Sequence, residues 1–189
     1  MIQTAELVEV RWHGRGGQGA VTSAELLARA AISEGKHAQA FPSFGPERRG
    51  APVLAFDRIS KNEPIRVRAE ITEPDVVVIL DSGLVTIVNV TSGLKDGGTV
   101  ILNTKRSVDE VAGEFKGKWR VAVVDATAIA NELLGVNIVN TTMIGALLRA
   151  TGVVDIESLA QPLQDRFGRL AERNSNAMQK AFEDTVIKE

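Results

Sequence analysis

The chain has 189 residues, of which 44% are hydrophobic and 24% are charged, as expected of an ordinary globular domain. A net charge of -2 with no basic block argues against nucleic acid as a partner, and no apolar run is long enough to cross a membrane. The absence of cysteine excludes thiolate metal sites, and the two histidines have no ligand spacing, so we predict that the chain holds no metal. From its length and the lack of a membrane span, we predict one cytoplasmic domain over residues 1–189.

The first predicted strand, residues 7–12, leads into a glycine-rich loop. Small apolar residues then recur at helical spacing from Ala20 to Ala31, and Gly35 supplies a helix stop. A glycine loop between a strand and a helix is typical of a phosphate site, because it presents unpaired N–H groups at the positive end of the helix dipole. The predicted ligand-binding residues of this loop are Gly14, Arg15, Gly16, Gly17, Gln18 and Gly19.

This glycine loop has two alternative interpretations. It could be a tight turn that binds nothing, although four glycines in six positions are more than a turn requires. It could also bind a nicotinamide or flavin dinucleotide, but that site needs an acidic residue after the second strand. Glu34 has about the right offset yet precedes that strand. The sequence therefore favours a phosphate-bearing ligand over a dinucleotide.

The second predicted strand, residues 37–41, is followed by a loop framed by glycine and proline. Arg48 and Arg49 on this loop could bind phosphate through bidentate hydrogen bonds from their guanidinium groups, or they could simply be solvated charges. Two further strands are predicted over residues 53–59 and 65–69. Only a short turn separates them, so we predict a β-hairpin.

From residue 75 the pattern changes to continuous apolar runs, which are typical of buried parallel strands. The predicted strands are 76–80, 99–102 and 121–124, and the predicted helices are 82–90, 108–115 and 127–134. Residues 141–188 are predicted to form two or three helices without a strand, with Pro162 beginning or kinking one of them. The predicted fold class is α/β, with a Rossmann-like, open, mostly parallel sheet, a β-hairpin insertion and C-terminal helices.

Three further places carry polar residues at predicted strand or helix ends. Asp81 and Asp125 each close an apolar strand, where helix capping is favoured over ligand binding. Asn140, Thr141 and Met143 begin the C-terminal helices, where Asn140 could cap a helix or the three residues could line a crevice. No nucleophile, acid and base stand together, so no catalytic residue is predicted on this chain.

Five segments of the chain together resemble one known family. They are residues 14–21, 38–52, 74–78, 93–98 and 140–143. In these segments the sequence resembles the gamma subunit of the 2-oxoacid:ferredoxin oxidoreductases, a family that includes pyruvate:ferredoxin oxidoreductase, or pyruvate synthase. The resemblance extends over roughly residues 7–185.

The resemblance implies a complex that decarboxylates a 2-oxoacid such as pyruvate, reduces ferredoxin and releases an acyl-coenzyme A. It places thiamine diphosphate, Mg and iron-sulfur clusters on partner subunits, which would be the alpha, beta and delta chains. It implies that the glycine loop with Arg48 and Arg49 faces the phosphates of coenzyme A. It also implies that Asn140, Thr141 and Met143 lie near the thiol arm of that molecule.

Two other functions remain open at this point. The chain could be a purely structural assembly subunit whose glycine loop contacts only neighbouring subunits. It could also be a free-standing nucleotide-binding oxidoreductase, although the missing ribose-binding acid argues against this.

Overall fold

The computed structural model describes residues 5–43 and 50–189. In that part of the chain, seven strands form one sheet: β1 Leu7–Arg15, β2 His37–Pro42, β3 Pro52–Ser60, β4 Val76–Ile79, β5 Thr99–Asn103, β6 Arg120–Val124 and β7 Val186–Lys188. The α-helices are α1 Ala20–Ser33, α2 Val108–Glu114, α3 Ala126–Leu134, α4 Asn140–Thr151, α5 Ala160–Phe167 and α6 Ala171–Asp184. None of these helices is long and apolar enough to cross a membrane.

The strand order across the sheet is β2-β3-β1-β4-β5-β6-β7. Strands β1, β4, β5 and β6 pair in parallel, whereas β3 is antiparallel to both β1 and β2, and β7 is antiparallel to β6. Five of the seven strands therefore point in one direction. The predicted α/β class with a mostly parallel sheet is confirmed.

The larger core lies on the sheet face that α1 and the C-terminal helices cover. Val8, Val10 and Trp12 of β1 point into it, as their alternation predicts. The alanine stripe of α1 lets this helix lie close to the sheet, and Gly35 follows the helix with φ 80, a conformation that favours glycine.

The second sheet face carries a smaller core over β4, β5 and β6. Leu84 and Val90 of the connection after β4, together with Val111 of α2, cover it. Ser107 and Glu110 form a capping box that fixes the start of α2, because each side chain bonds to the backbone N–H of the other residue.

The predicted pairing of residues 53–59 with 65–69 is wrong, because 65–69 form no strand. Two side chains of the neighbouring strands hold this segment instead. Arg58 donates to the carbonyl oxygens of Val67 and Ala69, at 3.2 and 2.8 Å, and Gln39 donates to that of Ile65 at 2.9 Å. The antiparallel pair of consecutive strands in this region is β2 with β3.

Three other element predictions are settled by the structure. The predicted helix over 82–90 is only a 3-10 helix, Ser82–Thr86, and the predicted absence of a C-terminal strand is wrong because β7 extends the sheet. Arg11 donates to the carbonyl oxygens of Val90 and Ser92, so these two oxygens accept hydrogen bonds from a side chain instead of from helix N–H groups. Pro162 lies in the first turn of α5, where its missing N–H costs no helical hydrogen bond.

Candidate functional site

The glycine loop joins β1 to α1 with a backbone that requires glycine at two positions. Gly17 and Gly19 have φ values of 96 and 86, a region that side-chain-bearing residues rarely adopt. Gly14 allows close packing, since a Cβ added there would lie 3.3 Å from Cβ of Ala20. The glycines thus set the tight approach of α1 to the sheet.

The start of α1 is open. No side chain caps this helix, and Gly19 in the N-cap position has no side chain to do so. Within residues 5–43 and 50–189, the N–H groups of Gly17 and Gly19 have no hydrogen-bond partner. Unpaired N–H groups at the N-terminus of a 14-residue helix form a site of positive potential that favours an anion.

Asp81, at the end of β4, holds the glycine loop in place. Its Oδ2 accepts hydrogen bonds from Nε2 of Gln18 at 3.0 Å and from Nε of Arg15 at 2.9 Å. The amide oxygen of Gln18 accepts from the Arg15 N–H at 2.8 Å, so Gln18 bridges the loop backbone to β4. Gln18 is among the predicted ligand-binding residues, and in the structure both ends of its side-chain amide bond within the protein.

The charge of Asp81 balances that of Arg15. Partial burial opposes ionisation of this carboxyl, but the hydrogen bonds from Gln18 and Arg15, with a third from the Gly83 N–H, hold its pKa below the usual value. Asp81 also caps the 3-10 helix through Gly83, as the sequence predicted. Because Arg15 is paired with Asp81, its attraction for an added anion is reduced.

The start of α4 packs directly against the glycine loop. A Cβ added at Gly19 would lie 2.8 Å from Nδ2 of Asn140, and the hydroxyl of Ser23 donates to the Asn140 carbonyl at 3.2 Å. The structure therefore brings Asn140 to the predicted site, although Val139, rather than Asn140, occupies the N-cap position.

Thr141 and Met143 have no exposed surface in this chain. The Thr141 hydroxyl donates to Oδ1 of Asn174 at 2.9 Å, and Met143 belongs to the larger core. Their side chains are placed to support the start of α4 rather than to line a surface, which argues against direct contact with a ligand.

Arg48 and Arg49 lie outside the described residues. The residues that follow them lie on the glycine loop: Gly16 N–H donates to the Ala51 carbonyl at 2.9 Å, and Gly50 N–H donates to that of Gly16 at 3.1 Å. Nη1 of Arg15 also donates to the carbonyl of Gly50, at 3.2 Å. The described end of the β2–β3 connection is thus joined to the predicted site.

A crevice of about 620 Å³ continues from Gln18 and Asp81 along the carboxyl ends of β4, β5 and β6. Asn103, which sequence analysis missed, bridges two of these strand ends by donating to the Leu80 carbonyl and to the Thr127 hydroxyl, both at 2.9 Å. Asp125 caps α3 through the Ala128 N–H, as predicted.

This crevice begins where the chain changes direction in the sheet. After β1 the chain crosses to the β2 side, and after β4 it continues to the β5 side. The gap between the carboxyl ends of β1 and β4 is therefore a topological switch point, where open α/β sheets bind their ligands. Arg15, Gln18 and Asp81 meet at this point.

Beneath the loop, β1 carries two buried polar residues on the second sheet face. Arg11 Nε donates to Nε2 of His13 at 3.0 Å. Burial and the nearby Arg11 charge lower the pKa of His13 to about 3, so this imidazole is neutral at physiological pH. A neutral histidine that already accepts a hydrogen bond within the protein is part of the strand packing.

Comparison with known proteins relates most of the chain to one family. The family model described as pyruvate ferredoxin/flavodoxin oxidoreductase matches residues 9–184. A protein of Thermococcus litoralis named pyruvate/ketoisovalerate oxidoreductases common subunit gamma is 54% identical over 97% of this chain and 100% of its own length.

Two solved structures share the fold. The crystal structure of pyruvate oxidoreductase subunit PORC from Thermotoga maritima matches with a TM-score of 0.86 and 35% identity, covering 98% of this chain and 100% of that one. A 2-oxoglutarate:ferredoxin oxidoreductase from Magnetococcus marinus, solved with 2-oxoglutarate, coenzyme A and succinyl-CoA bound, matches with a TM-score of 0.73 at 20% identity. That match covers 95% of this chain and 30% of the longer one, and it shows the fold alone.

Proposed function

Because the chain belongs to the pyruvate ferredoxin/flavodoxin oxidoreductase family, we propose that it is the coenzyme A-binding gamma subunit of a heteromeric 2-oxoacid:ferredoxin oxidoreductase. The complex converts a 2-oxoacid such as pyruvate, with coenzyme A, to an acyl-coenzyme A and carbon dioxide, and the two electrons released reduce ferredoxin. The name and full-length coverage of the Thermococcus litoralis relative support this role.

The redox and decarboxylation cofactors belong to partner chains in this proposal. The chain has no cysteine with which to hold an iron-sulfur cluster, and the described residues include no group of three or more potential metal ligands. Thiamine diphosphate, its Mg ion and the clusters would be held by alpha, beta and delta subunits. Thiamine diphosphate supplies the carbanion chemistry when bound.

The observation that carries the coenzyme A proposal is the open start of α1 at the switch point of the sheet. Coenzyme A has a pyrophosphate and a 3′-phosphate. The N–H groups of Gly17 and Gly19, which bond to no residue that the structure describes, offer an anion direct hydrogen bonds. The Magnetococcus marinus enzyme, which shares this fold, was solved with coenzyme A bound.

In this proposal Arg48 and Arg49 supply the positive charge for the phosphates, because Asp81 offsets the charge of Arg15. Arg15 is paired with Asp81, whereas Arg48 and Arg49 directly precede Gly50, whose N–H and carbonyl bond to the glycine loop. Two guanidinium groups fit the phosphates of coenzyme A in charge and geometry. Asn140, packed on Gly19, lies beside the same loop and would face the thiol arm, while Thr141 and Met143 hold it from within the core.

The test is steady-state kinetics of the assembled complex with Arg48→Ala and Arg49→Ala. Loss of one charge-assisted phosphate contact costs about 1.5–3 kcal/mol, so the KM for coenzyme A should rise about 10- to 100-fold in at least one variant. The KM for the 2-oxoacid should change little. Arg68→Ala, at an arginine that is exposed in the structure, is the control and should leave both values unchanged.

Unchanged coenzyme A kinetics in both variants would refute this site assignment. The purely structural alternative rests on the internal bonding of the loop, since Gly16, Arg15 and Gln18 all bond within the protein. Calorimetry of coenzyme A binding to assembled variant complexes separates the two. Weakened assembly, with intact coenzyme A affinity in the complexes that still form, would favour the structural role.

A further inference from the structure

Three exposed apolar side chains lie close together around the α3–α4 connection and the C-terminal helices. Val136, Ile138 and Leu170 retain 48%, 40% and 47% of their surface. With the side chains of Leu134 and Phe167 they line a cavity of about 240 Å³, which Asn140, Arg173 and Asn174 also line. We call the five apolar side chains the apolar patch. A contiguous exposed patch of this kind marks an interaction site.

The shape of the apolar patch is fixed within the chain. Asn174, which is 6% exposed, donates to the Leu170 carbonyl at 2.9 Å and accepts from the Thr141 hydroxyl at 2.9 Å. These bonds join the segment that carries Leu170 to the start of α4. A partner therefore meets a preformed surface, which lowers the entropic cost of binding.

A basic rim is formed by residues next to the patch along the chain, since Arg166 precedes Phe167 and Arg169 precedes Leu170. Arg166, Arg169 and Arg173 are exposed, and Arg173 lines the cavity itself. None of the three forms a salt bridge with any residue that the structure describes, and Glu172 is the single acidic residue between positions 166 and 174. Arginine is enriched in protein interfaces, and an unpaired basic rim favours a partner with carboxylates opposite to it.

We infer that the apolar patch, with Arg166, Arg169 and Arg173, is the docking surface for another subunit of the oxidoreductase, one that presents apolar side chains flanked by carboxylates. A second copy of this chain fits poorly, because a two-fold contact through this face would oppose one arginine rim to the other. The inference rests on the proposed function, because it takes this chain to be a subunit of that complex. Asn140 of the proposed coenzyme A site lines the same cavity, so coenzyme A kinetics of the variants separate the two roles.

The apolar part of this surface is tested with Ile138→Asp and Leu170→Asp, each in the full chain co-expressed with the other subunits of the complex. Because burying a carboxylate among apolar side chains is unfavourable, the apparent Kd of assembly should rise at least tenfold. Ile32→Asp is the matched control, since Ile32 is 55% exposed at the end of α1, and it should assemble normally. Thermal unfolding of each purified chain checks that the variants fold.

The charged part is tested with Arg169→Glu against Arg68→Glu, both at exposed positions. Arg169→Glu should weaken assembly and reduce its dependence on salt, whereas Arg68→Glu should change neither. Normal assembly of folded Ile138→Asp and Leu170→Asp chains would overturn the inference. So would normal assembly combined with a raised KM for coenzyme A, because the patch would then belong to the ligand site. No effect of Arg169→Glu would refute the acidic partner.

Discussion

Asp57 on β3 is fully buried beside Trp12, whose Nε1 donates to its Oδ2 at 2.6 Å. Its other oxygen has no partner among the described residues. Burial raises the pKa of this carboxyl well above its usual value, and the Trp12 hydrogen bond opposes that shift only in part. The folded protein therefore holds this proton more tightly than the unfolded chain does.

This difference predicts how stability changes with pH. The contribution of the protonated group is complete below the usual Asp pKa, about 4, and is lost as pH rises toward the folded pKa. Asp57→Asn removes the titration and keeps an acceptor for Trp12. Above about pH 4, the free energy of unfolding of the wild type should fall relative to the variant, by up to about 1.4 kcal/mol per pH unit.

Urea denaturation across pH 4 to 8 measures both curves, and the exposed Asp96→Asn serves as control. The control should run parallel to the wild type. If the Asp57→Asn curve also runs parallel to the wild-type curve, folding does not raise the pKa of Asp57, and the prediction is wrong.

Individual site residues could be predicted only where local sequence decides their position. The glycine loop and the capping roles of Asp81 and Asp125 follow from short-range pattern, and the structure has them in these places. The contacts of Asp81 with Arg15 and Gln18 span more than 60 positions and depend on β1 lying beside β4. Such contacts follow from strand order, which a single sequence does not encode locally.

At the scale of elements, the crossing of α4 and α6 depends on Gly145. A Cβ added there would lie 2.0 Å from the carbonyl oxygen of Met178 on α6, and a backbone atom cannot move away cheaply. Gly113 in α2 serves as the comparison, because it is also a helical glycine but nothing lies within 4 Å of a Cβ added there. Both glycines are helical, so their helix propensity is comparable.

Alanine at these two positions should therefore have opposite effects. Gly145→Ala should reduce the free energy of unfolding by at least about 2 kcal/mol, because it forces the two helices apart. Gly113→Ala should raise it by about 0.5–1 kcal/mol, because alanine loses less conformational entropy in a helix. Chemical denaturation of both variants tests this, and equal effects would show that the close approach does not determine the packing of α4 on α6.

Elements with strong periodicity were predictable, and short or irregular ones were not. The apolar runs at β4, β5 and β6 and the alanine stripe of α1 identify these elements from sequence. β7 has only three residues, too few for an alternation to be recognised. Residues 65–69 alternate like a strand, but side chains of Arg58 and Gln39 take the carbonyls that a strand partner would use.

At the scale of the whole molecule, the fold concentrates polar loops at the carboxyl ends of the strands. The glycine loop, Asp81, Asn103 and the start of α4 all meet there, and the two sheet faces are covered by unequal cores. The chain thus presents an uncapped start of α1 at this edge of the sheet and an apolar patch whose cavity Asn140 also lines. We propose that these surfaces serve ligand binding and subunit assembly, with the chemistry performed on other chains.

The central claim is that coenzyme A binds at the start of α1, and amide hydrogen exchange of the assembled complex tests it most directly. Saturating coenzyme A should slow exchange in residues 16–22, because a bound phosphate would occupy the N–H groups of Gly17 and Gly19, which have no partner among the described residues. Residues 108–114 of α2, on the opposite sheet face, should exchange unchanged. Tight coenzyme A binding to the complex with no protection of residues 16–22 would contradict the account.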